Sequence, residues 1–335
     1  MRKVSVVQGD GIGPEVIGAT MAVLRSMDLP IEFIEADMGL ECHSRTGEYI
    51  PESSIETIRS SDCCLFGAIT SPSSSMPGYR SPILFLRREF DLYANIRPVR
   101  RPSPDLGLVD LDLTIVRENT EGMYTGIERE ENGVVTLERK VTEKACRRLV
   151  RYAIDLCQRN SIDTLTCVHK SNVLRRSDGL FRKVFFEEME GRDIVARELL
   201  VDAAAAAMVT RPREQKCYVT LNLYGDILSD EAAALIGGLG FAPSGSYGES
   251  FALFEPTHGS APDIAGMGIA NPTATLLSAV MMLEYLDLKN DASRLKKAVY
   301  LTLNEGVRTS DAGGAFRTGD YCHEIILNLD KKDSC

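Results

Sequence analysis

Apolar runs of strand length recur at residues 4–7, 31–34, 63–69, 113–116, 165–168 and 217–223, several of them bounded by Gly, Asp or Asn. Between them the apolar period lengthens to that of a helix. After Thr142, a candidate N-cap, Cys146, Leu149, Val150, Ala153 and Leu156 fall on one stripe. A second helix is expected to open at Asn271-Pro272, with Asn as the cap and Pro at the first helical position. Leu276, Leu277, Val280, Met281 and Met282 make it apolar nearly all round, so it should be buried. Leu295, Ala298, Val299 and Thr302 mark a helix near the end, closed by Gly306. Alternating strands and helices predict an α/β fold. The Ser/Pro-rich stretch 70–82 reads as a mobile loop. The stretch 98–107, holding Pro98, Pro102 and Pro104, reads as a loop crossing between lobes. The charged segment 128–140, with a short alternating core at 134–137, reads as a surface hairpin or as an arm that pairs with a second subunit.

At 335 residues the chain is too long for one small core, which suggests two lobes. Its net charge of −10 argues against a general nucleic-acid or anionic-membrane surface, so a site for an acidic substrate must be a local basic cluster. Nine cysteines without a C-x-x-C resemble neither a disulfide framework nor a zinc site; most should be small core residues in a reducing cytosol. No signal-peptide apolar region precedes the first strand, and the longest apolar stretch, 273–283, is too short to span a bilayer.

The first strand runs into Gly9-Asp10-Gly11-Ile12-Gly13, with Glu35 and Asp37 downstream, which suggests a dinucleotide fingerprint. The third glycine of that pattern would fall at Pro14, however. A tight glycine turn into a helix is the better reading, and it brings backbone close to a ligand.

Chemistry concentrates elsewhere. In Asn222-Leu223-Tyr224-Gly225-Asp226-Ile227-Leu228-Ser229-Asp230 two carboxylates lie at i and i+4. On a helix they share a face and suit a hard cation. Arg87, Arg97 and Arg117 sit near element ends, where guanidinium forks bind carboxylates; Arg88 reads as a surface ion-pair residue. Lys170 follows the strand at 165–168, where a cleft lysine can act as a base, and Tyr124 is a candidate proton donor. The small-residue loop Glu255-Pro256-Thr257-His258-Gly259-Ser260-Ala261-Pro262-Asp263, leading to Asn271, can approach a nucleotide, with Asp263 accepting from a ribose diol and repelling a 2′-phosphate.

Together, from Gly9-Asp10-Gly11-Ile12-Gly13-Pro14-Glu15 to Asp311-Ala312-Gly313-Gly314, these segments resemble the β-decarboxylating dehydrogenases, which include isocitrate, 3-isopropylmalate, homoisocitrate and tartrate dehydrogenases. The resemblance implies a two-lobe α/β fold that is not Rossmann. The large cofactor-binding lobe would take 1–92 and 237–335, and the small lobe 93–236. It implies a homodimer, dimer against tetramer being left open, with 128–140 as an intersubunit clasp. Arg87, Arg97 and Arg117 match the substrate-carboxylate arginines, Tyr124 the proton donor and Lys170 the catalytic lysine. Asp226 and Asp230 match metal ligands of one subunit, and Asp202 matches the ligand lent by the other. Asn172 matches the residue near the nicotinamide. Ile12, Glu255, His258, Gly259, Ser260, Ala261, Asp263 and Asn271 match the cofactor site. NADP-using members carry Lys-Tyr where this chain has Asp263-Ile264, which implies NAD. The implied chemistry is oxidation of a 2-hydroxy acid with Mg²⁺ or Mn²⁺, loss of CO₂, and protonation of the enol by Tyr124.

For the substrate, 66–72 and Tyr79-Arg80-Ser81-Pro82-Ile83 resemble the archaeal homoisocitrate dehydrogenases of coenzyme B and related 2-oxoacid elongation. Ser81 as N-cap, Pro82 at the first helical position and Arg80 would form an anion site for a distal carboxylate, with Ile83 and Leu84 along its methylene chain. This reading makes the substrate homoisocitrate and the product 2-oxoadipate. The rival is 3-isopropylmalate on a greasy Ile83-Leu84. A non-catalytic regulatory subunit is the reading from another class; Lys170, Tyr124, Asp202, Asp226 and Asp230 are all present against it.

Overall fold

The computed structural model describes residues 1–72, 76 and 78–331. The first part of the chain forms β1 (Arg2–Gly9), α1 (Gly13–Ser26), β2 (Ile31–Ala36), α2 (Leu40–Thr46), α3 (Glu52–Arg59), β3 (Cys63–Ala68) and α4 (Pro82–Glu89). Then follow β4 (Ala94–Arg100), β5 (Asp112–Glu118), β6 (Glu128–Glu131), β7 (Val134–Leu137), α5 (Glu143–Arg159), β8 (Thr164–His169), α6 (Ser177–Met189), β9 (Val195–Leu200), α7 (Val201–Thr210), β10 (Cys217–Thr220) and α8 (Asn222–Leu235). The chain closes with β11 (Pro243–Tyr247), β12 (Ala252–Pro256), α9 (Thr273–Tyr285), α10 (Lys289–Asn304) and α11 (Thr318–Leu329).

Ten strands form one sheet in the order β2-β1-β3-β12-β11-β4-β5-β10-β8-β9, while β6 and β7 pair separately as a ribbon. The outer strands pair in parallel; β12, β11, β4 and β5 pair antiparallel with their neighbours in the middle. This antiparallel centre rules out a Rossmann sheet. The strands on one side of the β11–β4 seam come from the two ends of the chain, and those on the other side come from its middle. Only Gly245–Ile96, Ser246–Asn95 and Tyr247–Ala94 register across that seam.

Local chemistry explains the element ends. Ser81 accepts the Leu84 amide at 3.4 Å and Thr142 accepts the Ala145 amide at 3.2 Å, so both expected N-caps form. The Asn271 side chain accepts the Thr273 amide at 3.0 Å, and the helix proper starts at Thr273, one residue after Pro272. As expected, α9 is enclosed: every residue from 273 to 283 is buried. The run read as a strand to residue 223 ends at Thr220, because Asn222 and Leu223 already belong to α8. Pro98 is not in a loop. It lies in β4 opposite Thr114, near the end of the β11 pairing, where a missing donor costs no ladder bond. Part of the 70–82 stretch (73–75 and 77) falls outside the described residues. The eight described cysteines are free and buried. No helix among the described residues is long and apolar enough to cross a membrane.

Gly9 closes β1 with φ +76°, and a Cβ there would stand 1.9 Å from the Ala68 carbonyl oxygen of β3. Gly9→Ala therefore combines a left-handed backbone with a backbone clash, and about 2–5 kcal/mol of destabilisation is expected. An unchanged urea midpoint would contradict this packing account.

Candidate active site

Strand period and register gather the cations. Arg117 of β5 faces Asn95 of β4, and Arg97 lies two residues further along β4, so both guanidiniums leave the same face of the sheet as diagonal neighbours. Arg87 comes in from the last turn of α4. All three arginines are buried, with Arg117 only 1% exposed. Burial and mutual repulsion depress the Arg97 and Arg117 guanidiniums.

Helix α8 supplies the counter-charge. Its Asp226 and Asp230 lie one turn apart, as expected from the i, i+4 spacing. Arg97 bridges them, with Nη2 3.3 Å from Asp226 and Nη1 3.3 Å from Asp230. Arg117 pairs with the same Asp226, which also accepts from the Tyr124 hydroxyl. Burial raises the Asp226 carboxyl, but Arg117, Arg97 and Tyr124 outweigh it and hold the group below the usual carboxylate range. Asp230 goes the other way: burial and neighbouring Asp226 exceed the pull of Arg97. Burial and the bond to Asp226 push the Tyr124 phenol up, which keeps it protonated at neutral pH.

Gly225 lets α8 approach this closely. A Cβ there would lie 2.6 Å from Arg117 Cγ. Asn222 accepts from Arg117 Nη2 at 2.9 Å and donates to Glu118 and to the Glu121 carbonyl, while Asn95 accepts from Arg97 Nε at 2.7 Å. Asn222 and Gly225 lie in the segment 222–230 that carries the two aspartates, but nothing in its spacing marks them, and nothing in the sequence pattern points to Asn95. Arg88 is a correction: instead of a surface ion pair it donates to the Tyr124 carbonyl at 3.1 Å, tying α4 to the 3-10 turn Met123–Thr125.

A second cluster stands apart. Lys170, after β8, donates to Asp202 of α7 at 2.6 Å, and that bond lowers the Asp202 carboxyl. No bond or ion pair links this couple to the arginine cluster among the described residues, and the Asp202 side chain is 65% exposed. No group of three or more His, Cys, Asp and Glu residues gathers to hold a metal among the described residues.

The third region is the loop after β12. The Ile12 amide donates to the Ser260 carbonyl at 2.8 Å, and the Ser260 and Thr70 hydroxyls lie 2.6 Å apart. Glu15, 253 residues away in sequence, accepts the Gly268 and Ala270 amides and so clips the loop to α1. Ala261 has φ +36°, Asn271 donates to Asp311 at 3.0 Å, and Glu255 accepts from Arg87 at 3.1 Å. His258 Nδ1 lies 2.9 Å from the Gly259 carbonyl, and burial lowers its imidazole. Its Nε2 is buried without a partner. Asn172 and Asp263 are exposed. Arg80 is also exposed, 5.0 Å over the Phe85 ring and outside the arginine cluster; Leu84 is half-buried. A cavity of about 110 Å³ joins Arg87, Arg97, Ile83, Glu255 and His258.

The isocitrate/isopropylmalate dehydrogenase family model matches residues 3–326. The chain belongs to this family. It is 44% identical to the homoisocitrate dehydrogenase of Methanocaldococcus jannaschii, over 99% of each chain. It is 45% identical to the 3-isopropylmalate dehydrogenase of Methanothermobacter thermautotrophicus, over 98% of each. The crystal structure of isocitrate dehydrogenase from Methylococcus capsulatus superposes with a TM-score of 0.95 at 37% identity, covering 99% of this chain and 100% of that one. The protein is thus an enzyme, a β-decarboxylating dehydrogenase with the isocitrate dehydrogenase-like fold.

The family's cofactors, NAD(P) and Mg²⁺ or Mn²⁺, fit what the chain offers. Asp226 and Asp230 give hard oxygen donors, and Mg²⁺ commonly takes only one or two carboxylates, filling the rest of its shell with water and substrate oxygens. The orphaned His258 Nε2 is an unused acceptor for a nucleotide. Gly11, whose Cβ would sit 2.1 Å from the Ser260 carbonyl oxygen, keeps the adjoining loop close.

Gly225→Ala should push Arg117 off its position without unfolding α8. Displacement of about 1 Å predicts a loss near 10²-fold in kcat/KM, with an unchanged far-ultraviolet dichroism spectrum. Wild-type kinetics would show that Arg117 is not held by this contact.

Proposed function

We propose that the enzyme oxidatively decarboxylates homoisocitrate to 2-oxoadipate with NAD and Mg²⁺ or Mn²⁺. The observation that carries the reading is the set of three buried arginines beside the Asp226/Asp230 pair, a site made for a polycarboxylate and a hard cation together. Asp226 and Asp230 would hold the cation, and Arg97 and Arg117, released from them, would hold substrate carboxylates. The Lys170–Asp202 couple accepts the C2 hydroxyl proton. The carboxylate on C3 departs as CO₂, its bonding electron pair remains on carbon, and the Tyr124 hydroxyl donates a proton there. When bound, the cation lowers the hydroxyl pKa and polarises the ketone, and NAD accepts the hydride.

The isolation of the Lys170–Asp202 couple and the exposure of Asp202 support an active homodimer in which each couple serves the partner's Asp226 and Asp230. The ribbon β6–β7, with Val134, Val135 and Leu137 exposed, suits the clasp. The two lobes are 1–92 with 237–335, and 93–236. Free, buried thiols suit the cytosol.

Substrate choice rests on the start of α4. The Ile83 amide has no partner among the described residues, and the exposed Arg80 directly precedes the Ser81 cap in sequence, so a distal carboxylate would find both a free amide and a cation at this helix start. The homoisocitrate dehydrogenase relative accords with this. The half-buried Ile83, which lines the cavity with Arg87, favours 3-isopropylmalate as the second reading.

NADH or NADPH production with Mg²⁺ tests both choices, comparing kcat/KM for homoisocitrate, 3-isopropylmalate and isocitrate. The expected result is fastest turnover of homoisocitrate, with NAD. Preference for 3-isopropylmalate would make Ile83-Leu84 a hydrophobic pocket, and preference for NADP would remove the role given to Asp263.

A further inference from the structure

The seam between β4 and β11 has two faces. Asn95 and Arg97 point to the arginine cluster, and Asn95 donates to Ser244 and Ser246 of β11 at 2.7 and 3.0 Å. The alternate residues, Ile96 and Pro98 of β4 with Pro243 and Tyr247 of β11, line a cavity of about 420 Å³ behind the sheet. That volume lies in the range of small-molecule sites. Leu277 and Met281 of α9 complete an apolar floor. One wall belongs to the middle of the chain (residues 96–216) and the other to its C-terminal part (residues 241–300), so the cavity straddles the seam.

Its rim is cationic in a chain of net charge −10. Arg100, Lys216 and Lys296 face two carboxylates, Asp112 and Glu284. Asp112 is held by Arg100 at 2.5 Å. Among the described residues neither the Lys216 nor the Lys296 ammonium has an ion-pair or hydrogen-bond partner. The Tyr247 and Tyr300 hydroxyls likewise make no hydrogen bond, and burial pushes both phenols up, leaving them as donors. An apolar floor, unpaired ammonium groups and free hydroxyl donors select one chemistry, an apolar body with a single acidic head.

We propose that this rear cavity binds a small amphiphilic monocarboxylate. Its alkyl part lies on Ile96, Leu277 and Met281, and its head lies between Lys216 and Lys296. Because the cavity and the arginine cluster are opposite faces of the same seam, an occupant fixes how the two halves of the sheet meet and so alters substrate binding in front. Binding at the cavity goes beyond the reaction proposed above and needs none of its residue roles; the coupling rests on that reading of the arginine cluster as the substrate site.

Octanoate is the probe, titrated calorimetrically into the full-length enzyme, with octylammonium as the opposite-charge control. Saturable octanoate binding at one site per chain is expected, with no octylammonium binding. The surface variant Lys216→Glu/Lys296→Glu should weaken octanoate by at least about tenfold while keeping basal kcat/KM and melting temperature. Octanoate should also change the KM for the hydroxy acid in the wild type without competing with it. Absent binding, equal binding by the double variant, or binding of both probes would overturn the site. Competition with the hydroxy acid would place octanoate in front and overturn it too, and binding with unchanged KM would overturn the coupling. The binding arms involve no turnover, so they succeed or fail independently of the substrate assignment.

Discussion

Two guanidiniums buried in the middle of a sheet must be compensated, and much of this molecule's centre is arranged to do so. An unpaired buried charge costs several kcal/mol, more than most single interactions return. Arg97 and Arg117 are therefore matched by Asp226 and Asp230, framed by Asn95 and Asn222, and reached by a helix that can come close only because residue 225 is glycine. The same requirement fixes the Tyr124 hydroxyl, which finds its acceptor in Asp226. In this arrangement each buried cation of the pair is neutralised by a carboxylate of α8. Under the proposed function, substrate carboxylates and a divalent cation would enter together, each taking one member of an existing pair, so that the site never holds a bare charge.

Much of this was legible in the sequence because the chemistry is local. The i, i+4 aspartates, the strand-end arginines and the Ser81 cap each follow from spacing. The less local facts were not. Arg88 looked like a surface cation because its acceptor, the Tyr124 carbonyl, lies 36 residues away. The hold of Glu15 on Gly268 and Ala270 joins opposite ends of the chain. The apolar run before α8 extends past the strand because Leu221 and Leu223 are as apolar as the strand itself; the turn into the helix is set by tertiary packing. Pro98 looked like a loop residue because sequence does not reveal where a neighbouring strand stops pairing.

The relatives place nearly equal identity on enzymes named for homoisocitrate and for 3-isopropylmalate. The site accounts for this. Under the proposed function the arginines, aspartates, lysine and tyrosine would act on the part those hydroxy acids share, and only the start of α4 would meet the group that differs. Whole-chain similarity mostly counts core positions and is insensitive to a few residues around Arg80 and Leu84.

The exchange of partners at Asp226 and Asp230 is the centre of this account, and Mn²⁺ affinity measures it directly. The free-ion electron paramagnetic resonance signal would be followed in a titration of the purified enzyme without NAD, with and without the hydroxy acid that turns over fastest. The account predicts that the hydroxy acid tightens Mn²⁺ binding by about tenfold or more, since it takes over Arg97 and Arg117 and releases the aspartates. Equal Mn²⁺ affinity in both titrations would contradict it.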